Sequence, residues 1–125
     1  MLNVLCSPYF YLLALQIFSI LDVLFHGIEP VQSNKGTYKI PFSNAAKECA
    51  AKGMVLASKS QLQFAFNQGY AKCACGWLSD KKAYFPTQNP SKACGKRGLN
   101  YCGNDLSNTY NAFCYTKGKH FNTFR

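Results

Sequence analysis

The hydrophobic pattern divides the chain into an uncharged leader and a longer stretch of short alternating elements. The first 21 residues contain no lysine, arginine, aspartate or glutamate, and residues 12–21 form a ten-residue run that is apolar except for Gln16 and Ser19. A run of this length fits the core of a secretory signal peptide and is short for a membrane span. We therefore predict a signal peptide over residues 1–21. An uncleaved signal-anchor or a buried core helix is the alternative, because no basic residue precedes the run.

After the leader, two stretches have the apolar spacing that is typical of amphipathic helices. Ser43 is placed to cap the first helix and Gly53 to end it. The predicted apolar face of this helix consists of Ala45, Ala46, Cys49 and Ala50. Ser58 and Gln61 match a capping box for the second helix, which Gly69 closes. The residues predicted to be buried on it are Leu62, Ala65 and Phe66.

Short runs of β-branched and aromatic residues predict strands around these helices. The predicted strands cover residues 23–26, 37–40, 54–57, 76–78, 83–85 and 111–115. The stretch from Pro30 to Gly36 and the long connections after Tyr70 are predicted to be loops. Trp77 follows a cysteine-rich turn, and core packing is its predicted role because indole offers a large apolar contact area. The mixture indicates an α+β domain over residues 22–116, followed by a basic tail over residues 117–125.

Length and composition indicate one disulfide-stabilised domain with a polyanionic partner. A chain of 125 residues is the size of a single domain. Seven cysteines in so short a chain indicate an oxidising compartment. Loss of the leader would remove Cys6 and leave an even number. The net charge of +9 favours nucleic acid, anionic lipid or an acidic polysaccharide, and charge alone does not choose among them.

An ordered series of motifs gives the chain a resemblance to a known family. The motifs are Gly36-Thr-Tyr-Lys39, the Ala-Ala-Lys-Glu-Cys49 helix, Leu56-Ala-Ser58 with Gln61-Leu62, Cys73-x-x-Gly-Trp77, Phe85-Pro86, Cys94-Gly95 and Phe113-Cys-Tyr115. Together and in order they resemble the Link module, the hyaluronan-binding domain of cartilage link protein, aggrecan and the lymphocyte hyaluronan receptor. The resemblance covers nearly all of the chain after the leader. It implies two helices packed on two small antiparallel sheets, stapled by disulfides and related to the C-type lectin fold.

The resemblance also implies a cysteine pairing. The family joins its first cysteine to its fourth and its second to its third, which corresponds here to Cys49–Cys114 and Cys73–Cys94. Cys75 and Cys102 are additional, and both fall where the family places residues that line its sugar groove. We therefore predict a third bridge, Cys75–Cys102. The alternative is a metal site that combines the Cys-x-Cys with His26 or His120, but nothing spaces these histidines as ligands.

The implied ligand is hyaluronan or a related glycosaminoglycan, with no cofactor and no nucleic acid. Such a chain offers apolar sugar faces, hydroxyls and carboxylates, so a receptor needs tyrosines that stack and cations that pair. The groove tyrosines of the family correspond here to Tyr38, Phe85 and Tyr101. Tyr84 is the candidate for the missing hydroxyl, although strand alternation aims it at the opposite face from Phe85.

The basic residues match the family less well than the aromatic residues do. Thr37 stands where the family has a basic residue, which leaves Lys39 as the nearest cation, and Asn104-Asp105 replaces a late arginine. The candidates for replacement charge are Lys81, Lys82, Lys96 and Arg97, each of which has a solvated surface role as its alternative. A second hypothesis is therefore a domain that binds sulfated glycosaminoglycans or a protein partner through a basic surface.

Catalysis has little support in the sequence. Five acidic residues and two histidines form no paired carboxylates and no arrangement of nucleophile, histidine and acid. We therefore predict a secreted, extracellular binding module and not an enzyme, with no stable membrane span once the signal is cleaved. A secreted cationic defence protein that acts on anionic membranes is the outlying alternative.

Overall fold

The computed structural model describes residues 26–116 of the chain. Within this range there are seven strands and two helices. In chain order they are β1 (Ile28–Val31), β2 (Ile40–Pro41), α1 (Phe42–Ala50), β3 (Val55–Leu56), α2 (Lys59–Asn67), β4 (Gly76–Trp77), β5 (Ala83–Thr87), β6 (Gly98–Gly103) and β7 (Thr109–Tyr115). The predicted signal peptide and the predicted basic tail lie outside the described residues.

Strand β7 is the centre of the sheet. The strand order is β1-β7-β4-β5-β6, and the short strands β2 and β3 also pair with β7. Among the described pairings, β4 with β7 is parallel and the others are antiparallel. The predicted α+β class is confirmed. The strands join into one mixed sheet instead of two small antiparallel sheets, because β4 pairs with β5 on one side and with β7 on the other.

Helix α2 follows the sequence prediction and helix α1 departs from it. Ser58 and Gln61 form the predicted capping box, with the Ser58 hydroxyl accepting from the backbone of Gln61 and the Gln61 side chain accepting from the backbone of Ser58. The predicted residues of α2 are all buried, namely Leu62, Ala65 and Phe66. Helix α1 begins after Pro41, without a side-chain cap, so the prediction of Ser43 as its cap was wrong.

The buried face of α1 is narrower than predicted. Ala45 and Cys49 are buried, whereas Ala46 and Ala50 are exposed. Residues four positions apart lie on one stripe of a helix, and this short helix packs against the core with that stripe and with Phe42 in its first turn. The remaining alanines fit the helical propensity of the segment but contribute little burial.

Two of the observed strands lie in or overlap segments that are predicted to be loops. The first, β1, contains Pro30, which is tolerated because β1 lies at one end of the strand order. The second, β6, contains two glycines and lies at the other end. The predicted strand over residues 37–40 is reduced to its last residue, because Tyr38 adopts a left-handed backbone with φ of 57°. Of the predicted strand over residues 23–26, all but His26 lies outside the described residues.

Each face of the sheet has its own hydrophobic core. The α1 face is packed with Val31, Ile40, Ala45, Cys49, Met54, Trp77, Ala83, Ala112 and Cys114. The α2 face is packed with Ile28, Ala57, Leu62, Ala65, Leu78, Tyr84 and Phe113. Trp77 is fully buried, as predicted, and its indole N–H donates to the carbonyl of Ile40 over 2.9 Å. Side chains on opposite sides of one strand therefore pack into different cores, one on the α1 face and the other on the α2 face.

Three disulfides connect these elements, and they are the three predicted pairs. Cys49–Cys114 joins α1 to the central strand β7. Cys73–Cys94 and Cys75–Cys102 both start from the turn before β4. One of them reaches the connection between β5 and β6, and the other reaches β6 itself. The turn at residues 73–75 is thus tied at two points to the β6 end of the sheet.

Candidate ligand-binding site

Tyr38 is the best-positioned of the predicted site residues. It lies in the turn before β2, and its uncommon backbone conformation is held by a 2.9 Å bond from its N–H to the side-chain oxygen of Asn111. Its hydroxyl accepts a 2.9 Å bond from the N–H of Cys75. The ring is 38% exposed. Tyr38 is therefore a fixed platform whose face is open and whose hydroxyl proton can be donated to a ligand.

The aromatic platform continues inward from Tyr38. Its ring meets Tyr110 edge-on at a centroid distance of 6.2 Å, and Tyr110 meets Trp77 at 4.9 Å. The Tyr110 hydroxyl donates to the carbonyl of Cys102 over 3.3 Å. These contacts connect the exposed ring to the core and to the Cys75–Cys102 bridge. A ligand on Tyr38 would meet a surface that cannot rearrange easily.

Asn111 connects Tyr38 to a neighbouring cleft that contains Lys72. Besides accepting from Tyr38, buried Asn111 donates its backbone N–H to the carbonyl of Cys75 over 3.1 Å. The cleft has a volume of 220 Å³ and is lined by Pro30, Val31, Gln32, Lys72 and Asn111. Sequence reasoning missed Lys72 as a site residue. Its position next to Cys73 was the only indication in the sequence, because a residue beside a disulfide-linked turn lies close to the surface that the turn lines.

A second cleft shares Lys72 and lies along the Cys73–Cys94 bridge. It has a volume of 320 Å³ and is lined by Ala71, Lys72, Cys73, Pro86, Thr87, Gln88, Asn89 and Cys94. The backbone of Lys72 is fixed by a 2.9 Å bond from its N–H to the carbonyl of Pro86. Its side chain is exposed at the boundary of both clefts. Lys72 is thus a cation placed where two concave surfaces meet.

Phe85 contributes an aromatic side chain to the same face as the Cys75–Cys102 bridge. It is half-buried and lies opposite Asn100 across the β5–β6 pairing. The Asn100 amide donates to the hydroxyl of Thr87 over 3.1 Å and to the carbonyl of Lys96 over 2.8 Å. These bonds fix the loop that leads into β6. We call the set Tyr38, Lys72, Phe85, Asn111 and the Cys75–Cys102 bridge the groove.

Tyr101 and Tyr84 are not part of this groove. Leu99, two residues before Tyr101 on β6, packs against the α2-face core, and strand residues two positions apart point to the same face, so Tyr101 lies on the α2 face. It pairs there with Tyr84, at a ring distance of 5.5 Å. Tyr84 is buried, as alternation indicated, and Tyr101 is 56% exposed. The structure therefore separates Tyr38 from Tyr101 by the thickness of the sheet.

The predicted cations are dispersed. Arg97 lies over the ring of Phe66 at 5.3 Å and donates to the carbonyl of Gln88, which places it beside α2. The others are exposed and lie in connecting segments, namely Lys39, Lys81, Lys82 and Lys96. None of these residues occupies the position that Lys72 has between the two clefts.

One acidic residue lies in the turn that precedes β7. Asp105 is in the turn between β6 and β7, and hydrogen bonds from the hydroxyl and N–H of Ser107 hold the pKa of its carboxyl below the usual value. Asn108, in the same turn, donates to the hydroxyl of Tyr110 over 3.5 Å. The carboxylate is therefore ionised at neutral pH, in the same turn as a hydrogen-bond partner of the Tyr110 hydroxyl.

Within residues 26–116, no group of three or more histidine, cysteine, aspartate or glutamate side chains is placed to hold a metal ion. Over the same range, neither helix has the length and apolar character needed to cross a membrane. The six cysteines of this range are all in disulfides.

Comparisons with known proteins agree with this architecture. The family model of the extracellular link domain matches residues 27–115. Stabilin-1 of Mus musculus is 33% identical over 93 residues, which is 71% of this chain and 4% of stabilin-1. The versican core proteins of Mus musculus and Bos taurus are each 34% identical over 84 residues, which is 62% of this chain and 2% of versican. The chain thus spans a small part of the length of these relatives. Because the family match covers most of its length, the chain belongs to the extracellular link domain family.

Proposed function

We propose that this domain is a secreted, extracellular module that binds hyaluronan through the groove around Tyr38. The observation that carries the proposal is the fixed and exposed ring of Tyr38, with its hydroxyl held by Cys75 and a cation, Lys72, in the adjoining cleft. Membership of the Link family supports this ligand class, because the Link module is a hyaluronan-binding domain. Binding, and not catalysis, is the proposed activity.

The chemistry of the groove suits an acidic polysaccharide. The open face of Tyr38 and the half-buried ring of Phe85 can pack against apolar sugar faces. The Tyr38 hydroxyl already accepts one bond, so its own proton is available for a carbonyl, hydroxyl or carboxylate oxygen of the ligand. Lys72 can pair with a carboxylate. Two aromatic rings, one hydroxyl donor and one cation match the apolar faces, polar oxygens and carboxylates that hyaluronan repeats along its chain.

Secretion of the domain is part of the proposal. Three disulfides in a domain of this size require an oxidising compartment to form and persist. The predicted signal peptide over residues 1–21 would deliver the chain there. Secretion is tested by detecting the natural protein in culture medium and by finding in its mass spectrum no peptide that contains Cys6.

The proposal is tested by comparing variants of the groove at physiological salt. Calorimetric titration with hyaluronan oligosaccharides should show that Tyr38→Ala weakens binding by roughly 1–3 kcal/mol, the range for loss of one stacked ring. Tyr38→Phe should lose about 0.5–1.5 kcal/mol, because it keeps the ring and removes one hydrogen bond. Lys72→Gln should lose about 0.5–1 kcal/mol, as expected for an exposed ion pair. The matched control is Lys52→Gln, an exposed lysine in the turn after α1, which should bind as the parent does.

A basic-surface function is the second candidate, and the exposure of Lys81, Lys82 and Lys96 favours it. In that case, neutralising Lys81 and Lys82 together should reduce binding more than Tyr38→Ala does. Affinity should also collapse with moderate salt, because exposed charges are screened over about 10 Å at 0.1 M. Failure of every Tyr38 and Lys72 variant to change hyaluronan affinity would refute the groove proposal.

A further inference from the structure

The side-chain amide of Asn111 has its oxygen in use and its nitrogen free. Asn111 is buried, with 6% of the residue exposed. The amide oxygen accepts the 2.9 Å bond from the N–H of Tyr38, and this fixes the orientation of the amide, because a flipped amide would set two donors against each other. The amide nitrogen has no hydrogen-bond partner among residues 26–116. Asn111 therefore holds an oriented donor that a ligand can satisfy.

The free nitrogen is not sealed inside the core. In the described part of the chain, the fully buried polar side-chain atom that lacks a partner is the Tyr70 hydroxyl, so the Asn111 nitrogen retains access to solvent. The surface that Asn111 lines is the cleft of 220 Å³ beside β1 and Lys72. We call this space the Asn111 cleft. The donor is thus available to a group that enters it.

The polar side chains that line the Asn111 cleft offer donors. Lys72 contributes an ammonium on a flexible stem, which can adapt to an occupant. The Gln32 side-chain oxygen accepts from the hydroxyl of Thr37 over 3.2 Å, which leaves the Gln32 amide nitrogen as a further donor. The five described residues that line the cleft include no aspartate or glutamate. A carboxylate, which accepts hydrogen bonds and carries a negative charge, is complementary to this set.

Asn111 also connects the cleft to the aromatic ring of Tyr38. Three hydrogen bonds form a closed circuit. They run from the Tyr38 N–H to the Asn111 side chain, from the Asn111 N–H to the carbonyl of Cys75, and from the Cys75 N–H to the Tyr38 hydroxyl. Hydrogen bonds in series polarise one another, so a bond donated by the Asn111 nitrogen to an occupant strengthens the bond that its oxygen accepts. An occupant of the cleft should therefore stabilise the position of Tyr38.

We propose that the Asn111 cleft is a carboxylate pocket and that Asn111 is its specificity-determining residue. The inference rests on the proposed function, because its occupant is the uronate carboxylate of the polysaccharide that packs on Tyr38. A free small carboxylate offers the same chemistry without the sugar chain. A sugar whose carboxylate is reduced to a hydroxymethyl group keeps its ring and loses the negative charge. The pocket thus selects polysaccharides by one functional group and not by total charge.

The experiment compares hyaluronan oligosaccharides with carboxyl-reduced oligosaccharides of the same length, by calorimetric titration of the full disulfide-bonded protein. Asn111→Asp keeps the oxygen that accepts from Tyr38 and replaces the free donor by an anion. It should weaken binding of the native oligosaccharide about tenfold or more and leave binding of the carboxyl-reduced one unchanged. The matched control is Asn67→Asp, which adds the same charge on α2 and keeps the oxygen that accepts from Gln63. It should bind both ligands as the parent does.

Lys72→Gln gives a second test that does not alter a buried position. Lys72 is exposed, so this variant should fold as the parent does. It should weaken binding of the native oligosaccharide about two- to fivefold and leave binding of the carboxyl-reduced one unchanged. Thermal unfolding of every variant checks the fold, and Lys72→Gln decides the question if Asn111→Asp unfolds.

The outcomes separate the pocket from the function on which it rests. Equal weakening of both ligands by Asn111→Asp would overturn the pocket, since Asn111 would then act only through Tyr38. Equal affinity of the parent for both ligands would also overturn it, with Tyr38→Ala still testing the groove.

If no Tyr38 variant changes hyaluronan affinity, the proposed function fails and titration with sodium glucuronate tests the pocket alone. A saturable NMR shift of the Asn111 side-chain amide, weakened in Lys72→Gln, would assign the pocket to small carboxylates. An amide signal that does not move would overturn the pocket.

Discussion

Removal of the Cys75–Cys102 bridge by Cys75→Ala with Cys102→Ala should leave a folded but less stable domain. The bridge joins residues 27 positions apart. In an otherwise unlinked chain, a loop of that length corresponds to about 3.6 kcal/mol of chain-entropy stabilisation. The neighbouring Cys73–Cys94 bridge shortens the path between the two ends to roughly ten residues, and the expected contribution falls to about 2.7 kcal/mol. A loss of this size lowers the melting temperature of a small domain by roughly 10–20 °C.

The matched comparison is the double variant Cys73→Ala with Cys94→Ala. That bridge spans 21 residues. When either bridge is present, the loop that the other one closes is the same path of roughly ten residues. The two double variants should therefore lose nearly equal free energy of unfolding, although the bridges span different numbers of residues. The assay is denaturant unfolding of the oxidised proteins under identical conditions. A loss near zero for the Cys75/Cys102 variant, or complete unfolding of it, would refute the calculation.

The same variant should also bind hyaluronan several-fold more weakly. The N–H of residue 75 holds the Tyr38 hydroxyl, and without the bridge the turn samples positions in which that bond is broken. Apparent affinity falls in proportion to the fraction of molecules with the competent arrangement. Hydrogen exchange at the amide of residue 75 reports the loosening directly. An amide as protected as in the parent, with unchanged affinity, would show that the bridge does not position the groove.

Three further substitutions test separate features. Tyr70→Phe should raise the unfolding free energy by about 1–3 kcal/mol, measured by denaturant titration, because the buried hydroxyl has no hydrogen-bond partner within residues 26–116. Ser58→Ala should lower it by about 1 kcal/mol in the same assay, through loss of the capping box of α2. Asp105→Asn should raise hyaluronan affinity by about twofold at low salt and less at high salt, since one ionised carboxylate that repels an anionic polysaccharide is removed.

Helices and turns with local signals could be predicted from the sequence. The capping box of Ser58 and Gln61 involves four consecutive residues, and its geometry depends on nothing distant. Strands β1 and β6 carry no such signal, because they contain proline or glycine and exist through pairing with β7 and β5. Their stability comes from the partner strand and not from their own propensity. A short stretch of sequence does not contain the identity of the partner strand.

The site was only partly predictable for a related reason. Tyr38 could be named as a candidate because it belongs to the Gly36-Thr-Tyr-Lys39 motif of the resembled family. The face occupied by Tyr101 depends on the register of β6 against β5, and the pairing is irregular between Ala83 and Tyr84. A shift of one residue sends a side chain to the opposite face of a sheet. Lys72 was missed because a lysine becomes a site residue only through the clefts around it.

The additional bridge and the sparse charge of the groove can be understood together. In the proposed groove Lys72 is the cation, so Coulomb attraction should contribute modestly to hyaluronan affinity. Binding must then depend on stacking and hydrogen bonds. Their net contribution to the binding free energy is reduced by the entropy cost of ordering mobile groups. Tyr38 is fixed through its N–H and its hydroxyl, and the residue that holds the hydroxyl belongs to the Cys75–Cys102 bridge. Pre-organisation by this bridge can therefore compensate for charge, because a groove that is already ordered loses less entropy when the polysaccharide binds.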